Sequence, residues 1–159
     1  MECANKGFFF QEQIDFPSEE RMKKKAVAII ECCQEIPCNP CVDACPVGAI
    51  SIAHNINAPP VIDFEKCTGC GLCLGFCPGL AIFLVDLSKG KARVTIPYEL
   101  FPPEKGETVE LLNRSGDVIG KGTVERVILL KKHDRTLTVT LVVDEDQIRE
   151  VRGFRRKNE

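Results

Sequence analysis

The chain has 159 residues but no tryptophan and only one tyrosine, so aromatic packing is thin. It has no apolar run approaching the roughly 20 residues that a bilayer-spanning helix needs. Phe8-Phe9-Phe10 is too short for the apolar core of a leader peptide and is followed by Gln11, Glu12 and Asp15. A cytoplasmic location and no membrane span are expected. Cysteine is absent after residue 77, although the chain holds ten. The cysteine-free part also lacks a Gly-rich phosphate loop, a nucleophile–base pair and the aromatic platform on which unpaired bases stack. Neither a catalytic site nor nucleic-acid binding is expected.

The chemistry is concentrated in two cysteine runs, each closing on proline. The second is Cys67-x2-Cys70-x2-Cys73-x3-Cys77-Pro78, and the first is Cys38-x2-Cys41-x3-Cys45-Pro46 with Cys32 and Cys33 upstream. Disulfides would need an oxidising compartment. Structural zinc uses four ligands in two separated pairs, a different arrangement. A [4Fe–4S] cube takes four soft thiolates, and cysteines two residues apart wrap a tight loop around one cube. The runs are also an internal repeat. Shifted by 32 residues, Cys38, Cys41, Cys45, Pro46, Ala49 and Ile50 fall on Cys70, Cys73, Cys77, Pro78, Ala81 and Ile82.

On these motifs, and on Lys66-Cys67-Thr68-Gly69-Cys70-Gly71, the segment 26–90 resembles a bacterial-type 2[4Fe–4S] ferredoxin. The resemblance implies two [4Fe–4S] clusters in a domain of pseudo-two-fold βαβ repeats. It also implies crossed wiring, because the cysteine before proline serves the other cube. Cluster A then takes an upstream cysteine with Cys38, Cys41 and Cys77. Cluster B takes Cys67, Cys70, Cys73 and Cys45. One position departs from the pattern: the repeat partner of Cys67 is Glu35. Cys33 or Cys32 can reach by a slightly larger loop. Glu35 is a harder, poorer ligand, and a three-iron cluster with a vacant corner is the remaining option. The run Ile30-Glu31-Cys32 with Gln34 to Cys41 is similar to the small ferredoxin-like subunits found beside FAD-dependent dehydrogenases of proline, hydroxyproline and related amino acids. That narrower resemblance implies Cys32 as the ligand, with Cys33 as the alternative, and a FAD-containing dehydrogenase and a downstream electron acceptor as partners.

Around this segment we expect an arm over 1–25 and a small β-barrel-like domain over 91–159, an α+β chain overall. Ser18 before Glu19 and Glu20, with Lys23 to Lys25 following, predicts a short helix. Cys3 reads as an incidental thiol, and Phe8–Phe10 as rings packed on the body or on a partner. Gly69, Gly71 and Gly75 are expected where backbone approaches cluster sulfur, and Gly120 and Gly122 as bulges. Leu137 to Val143 alternates as a half-buried strand, and His133 sits in a charged, solvated turn. Arg152, Arg155, Arg156 and Lys157 read as a frayed basic tail, and the barrel as a docking module. Residues 1–90 carry 7 basic and 11 acidic side chains, and residues 91–159 carry 14 and 12, so the cysteine-bearing part offers a negative face to a basic partner. The expected function is electron transfer as a subunit that has no catalytic site of its own. A free-standing ferredoxin and an iron–sulfur redox-sensing module are the alternatives.

Overall fold

The computed structural model describes residues 6–156; Cys3 and Lys157 lie outside them. Helix α1 (Glu19–Lys24) starts at Ser18, whose Oγ accepts the Arg21 N–H at 3.2 Å. Glu19 and Glu20 sit at its positive end, and Lys23 and Lys24 at its negative end.

Two repeat halves follow. The first is β1 (Val27–Ile30), α2 (Pro40–Ala44) and β2 (Ile50–Ile52). The second is β3 (Pro60–Ile62), α3 (Leu72–Phe76) and β4 (Ile82–Asp86). The halves interlock: β1 pairs antiparallel with β4, and β2 with β3. The repeat extends to single hydrogen bonds. Glu31 N–H donates to the Ala81 carbonyl, and its repeat partner Asp63 donates to Ala49, both at 2.8 Å. Gly48 and Leu80, also repeat partners, both turn through positive φ, at 61° and 51°.

The strands β5 (Ala92–Tyr98), β6 (Thr108–Leu112), β7 (Val118–Leu129), β8 (Leu137–Val143) and β9 (Gly153–Arg155) complete a seven-stranded sheet ordered β1-β4-β5-β8-β7-β6-β9. The 90/91 boundary falls in the turn between β4 and β5, which pair antiparallel, so one sheet runs through both segments. The sheet is open, and the expected barrel does not close. The reason is that β5 has β4 on one edge and β8 on the other, leaving no edge for β9. The sheet curls instead, bringing Tyr98 of β5 to 4.6 Å from Phe154 of β9, ring to ring.

Three further expectations are corrected. Strand β8 is buried on both faces, not one, because it lies centrally between β5 and β7. Its buried Thr140 hydroxyl pairs with that of Thr95 at 2.9 Å, which satisfies both polar groups. The bulges fall at Ile119 and Glu125, where the register slips. Gly122 lacks a side chain for another reason: a Cβ there would lie 2.7 Å from Leu111 and 2.9 Å from the Val142 carbonyl. The basic tail is tied down as far as Arg156. Arg152 is buried, Arg155 pairs with Glu110 at 2.7 Å, and Arg156 with Glu107 at 2.8 Å.

Candidate metal centres

The cysteines gather into two sets. Cys32, Cys38, Cys41 and Cys77 line one cavity, walled by Ile30, Ile36, Pro40, Pro60 and Ile82. Cys45, Cys67, Cys70 and Cys73 line a second, walled by Ala28, Val47, Ile50, Ile62 and Leu84. Each set draws three thiols from one half and one from the other. The crossing follows from the short helices: α2 carries Cys41 and ends at Cys45, and α3 carries Cys73 and ends at Cys77. Cys33 lines neither cavity; it lies on a separate groove. Glu35 also lines neither.

Backbone amides converge on the crossing sulfurs. Ala49 N–H donates to Cys45 Sγ at 3.2 Å, and Ala81 N–H to Cys77 Sγ at 3.4 Å. In the second cavity, Ala28 N–H reaches Cys67 Sγ at 3.4 Å. Gly69 is required here by packing, since a Cβ would sit 2.3 Å from the Ala26 carbonyl oxygen. That contact seats the Cys67–Cys70 loop on the start of β1.

The donors suit a multi-iron group. Burial, then the neighbouring Cys77 sulfur, pushes the Cys41 thiol up to about 11. Burial, then the sulfurs of Cys67 and Cys70, pushes Cys73 up to about 12. Such thiols are poor nucleophiles at neutral pH, and bound metal is what makes thiolates of them. Cys45 is the exception: burial would raise it, but the amides of Ala49, Val47, Ile50 and Gly48 bring it below the ordinary thiol value. Among the described residues, no three His, Cys, Asp or Glu side chains come close enough to share one metal ion. What the structure gives is four thiols lining each of two cavities.

Several supporting residues escape sequence reasoning. Arg21 of α1 is 2% exposed. Its Nε donates to the Phe64 carbonyl at 2.6 Å, Nη2 to the Cys67 carbonyl at 2.7 Å, and Nη1 to the Lys25 carbonyl at 2.9 Å. It clamps the loop that enters the second cavity. His133 is buried, not solvated: its turn Lys131–His133 packs on α3, with its ring 5.5 Å from that of Phe76, edge to face. Burial holds its pKa below the usual imidazole range. Gly75 serves this contact and not a cluster sulfur, since a Cβ there would meet the His133 ring at 2.1 Å. A glycine inside a helix is the one sequence signal that could have announced it.

This fold and these cavities define a ferredoxin-type cluster-binding domain, mixed in helix and sheet. Residues 31–81 match the family model of the 4Fe-4S dicluster domain. The chain is similar to the ferredoxin-type protein NapF of Haemophilus influenzae, 38% identical over 35% of this chain and 33% of that one. It is similar to the polyferredoxin-like subunit of the aliphatic sulfonate oxidoreductase of Pyrococcus furiosus, 39% identical over 40% of this chain and 35% of the relative. It also resembles a subunit of the ion-translocating oxidoreductase complex of Methanosarcina acetivorans, 43% identical over 38% of this chain and 20% of that one. The chain spans less than half the length of these curated relatives. No solved structure matches it significantly. Among the described residues, no helix is long and apolar enough to cross a membrane.

Proposed function

We propose that this chain is an electron-transfer subunit that holds two [4Fe–4S] clusters and relays electrons from a partner flavoprotein dehydrogenase. The observation that carries the proposal is the pair of apolar cavities, each ringed by four thiols drawn from both repeat halves. Cluster A is assigned to Cys32, Cys38, Cys41 and Cys77, and cluster B to Cys67, Cys70, Cys73 and Cys45. When bound, a [4Fe–4S] cube supplies one-electron oxidation and reduction. The chain's own residues do the rest. The amides of Ala49, Ala81 and Ala28 stabilise negative charge on Cys45, Cys77 and Cys67, which favours the reduced state. Apolar walls exclude water, and Arg21 fixes the Cys67 loop. Cys70 is exposed, and Val47 beside it is 43% exposed, so cluster B offers the electron an opening to a docked partner.

Two relatives named as subunits of oxidoreductase complexes support the subunit role. The run from Ile30 to Cys41 supports a FAD-dependent amino-acid dehydrogenase as donor, with β5–β9 as the docking part. The chain carries no substrate site of its own in this reading and works in the cytoplasm. The test is anaerobic purification of the tagged protein from its host at low salt. The reading expects a stoichiometric flavoprotein, and clusters that bleach when an amino acid is added. Isolation alone, with full iron and reversible reduction, contradicts it and favours a free-standing ferredoxin.

A further inference from the structure

Cys33 borders a groove of about 440 Å3, larger than either thiol cavity and separate from them. Phe8 and Phe9 of the arm form one wall, Gly79 to Ala81 another, and the Asn113–Gly116 turn a third. Beneath it lies a buried ionic group. Glu31 takes a bidentate pair of bonds from Arg114, Nε at 2.9 Å and Nη2 at 2.8 Å, and a further bond from Arg152 Nε. The side chains are only 8%, 6% and 4% exposed. All three residues line the groove.

The charges here do not balance within the groove. One carboxylate faces two guanidinium groups. The other acid nearby is Glu150, whose carboxylate is 3.6 Å from Arg114 Nη1 and 39% exposed, and which lines an adjacent recess with Glu12. Backbone carbonyls take some of the remaining donors: Arg149 O from Arg114 Nη2 at 2.7 Å, and Val151 O from Arg152 Nη1 at 2.5 Å. Arg114 Nη1 and Arg152 Nη2 are buried with no hydrogen-bond partner. An unpaired, desolvated guanidinium N–H is a group that native structures normally satisfy.

The repeat sharpens the point. Asp63, the partner of Glu31, turns its carboxylate onto its own loop and accepts from Glu65 and Lys66 amides at 3.0 and 3.2 Å. Glu31 instead draws two arginines from the C-terminal half of the chain. Arg114 is shared between Glu31 and the half-exposed Glu150, so the cation facing the groove is only partly neutralised by an acid that water also reaches.

We propose that this groove binds a small organic anion, a carboxylate or phosphate on an apolar body. The charged group pairs with Arg114 and Arg152, and the body rests on Phe8, Phe9 and Leu80. The adjoining recess, lined by Glu12 and Glu150, is excluded by its own charge. The groove's volume falls within the range of small-molecule sites.

Isothermal titration calorimetry on the full chain, purified anaerobically, tests this with phenyl phosphate, benzoate, inorganic phosphate and neutral benzyl alcohol. At least one aromatic anion should bind one to one, about tenfold or more tighter than benzyl alcohol. Which anion wins separates phosphate from carboxylate. Glu31→Gln should tighten that binding about tenfold, because it removes the competing carboxylate; a gain of affinity cannot come from misfolding. Gly79→Trp fills the groove from a position where a Cβ meets nothing within 4 Å, and should weaken binding about tenfold with the visible spectrum unchanged. No binding by wild type and Glu31→Gln overturns the site. Unchanged affinity in Gly79→Trp places the anion elsewhere and also overturns it. Inorganic phosphate binding as tightly as phenyl phosphate overturns the apolar part.

Discussion

Arg21 shows how much of a metal centre rests on a residue that touches no metal. Its guanidinium satisfies three backbone carbonyls, two of them on the segment that carries Cys67. Arg21→Met keeps the volume and removes the bonds. It should cost about 3 kcal/mol or more in chemical denaturation, since buried carbonyls lose charge-assisted partners, and should speed iron loss to a chelator. Unchanged stability would show the clamp to be idle. That the cysteines gather in two crossed sets was legible, because their spacing is local. Cys32 and Cys33 are the exception, since adjacent residues reach opposite sides of the chain and spacing alone cannot choose. Only Cys32 lines the cavity with Cys38, Cys41 and Cys77. Cys32→Ser should therefore perturb one cluster and Cys33→Ser neither, read by EPR of the reduced protein. The reverse pattern would reassign the ligand. Arg21 and Arg152 were not legible, because the partners that bury them, Phe64 and Glu31, lie 43 and 121 residues away and their neighbours read equally well as solvated charge.

At the scale of elements, α3 joins the two parts of the chain. It carries Cys73, leads into Cys77, and receives the His133 turn on its Gly75 face. Gly75→Val has no room and must displace that turn. Overpacking of this kind costs about 1–3 kcal/mol, so Tm should fall by several degrees. Exchange of amides in 131–136 should accelerate while those of β8 stay protected. A Tm equal to wild type would contradict the docking of this turn. The strands were largely legible from alternation and from the turn signals at Asn113–Asp117. The closure of the sheet was not. Whether β5 pairs with β9 or with β4 is decided between edges far apart in sequence, and β4 follows the second cysteine run only a short turn earlier. The burial of Thr138 and Thr140 on the second face of β8 was hidden for the same reason.

Across the whole molecule, metal is proposed to staple the halves. Each cavity takes thiols from both repeats, and the strands there are short, with three or four residues in β1, β2 and β3. The seven-stranded sheet buries β1 and β4, so the parts left to depend on metal are the cysteine loops, α2, α3 and the β2–β3 pair. Chelation of iron under reducing conditions should therefore loosen the cysteine loops, α2, α3 and the β2–β3 pair while the seven-stranded sheet, with its continuous core, keeps much of its strand signal by circular dichroism. A fully retained near-native spectrum would contradict the staple. The charge asymmetry belongs to the same scale. An acidic cysteine-bearing part should dock to a basic partner face, with an association rate that falls as salt rises.

The central claim, two cubes in crossed thiol sets, is tested most directly by iron and acid-labile sulfide analysis with EPR-monitored reduction, on wild type and Cys73→Ser in parallel. The account predicts about eight iron and eight sulfide per wild-type chain, with the spin-coupled signal of two neighbouring reduced clusters. In Cys73→Ser one cube should be lost, leaving a simple uncoupled signal. Full iron and an unchanged signal in that variant, or a wild-type chain holding zinc and no sulfide, would contradict it.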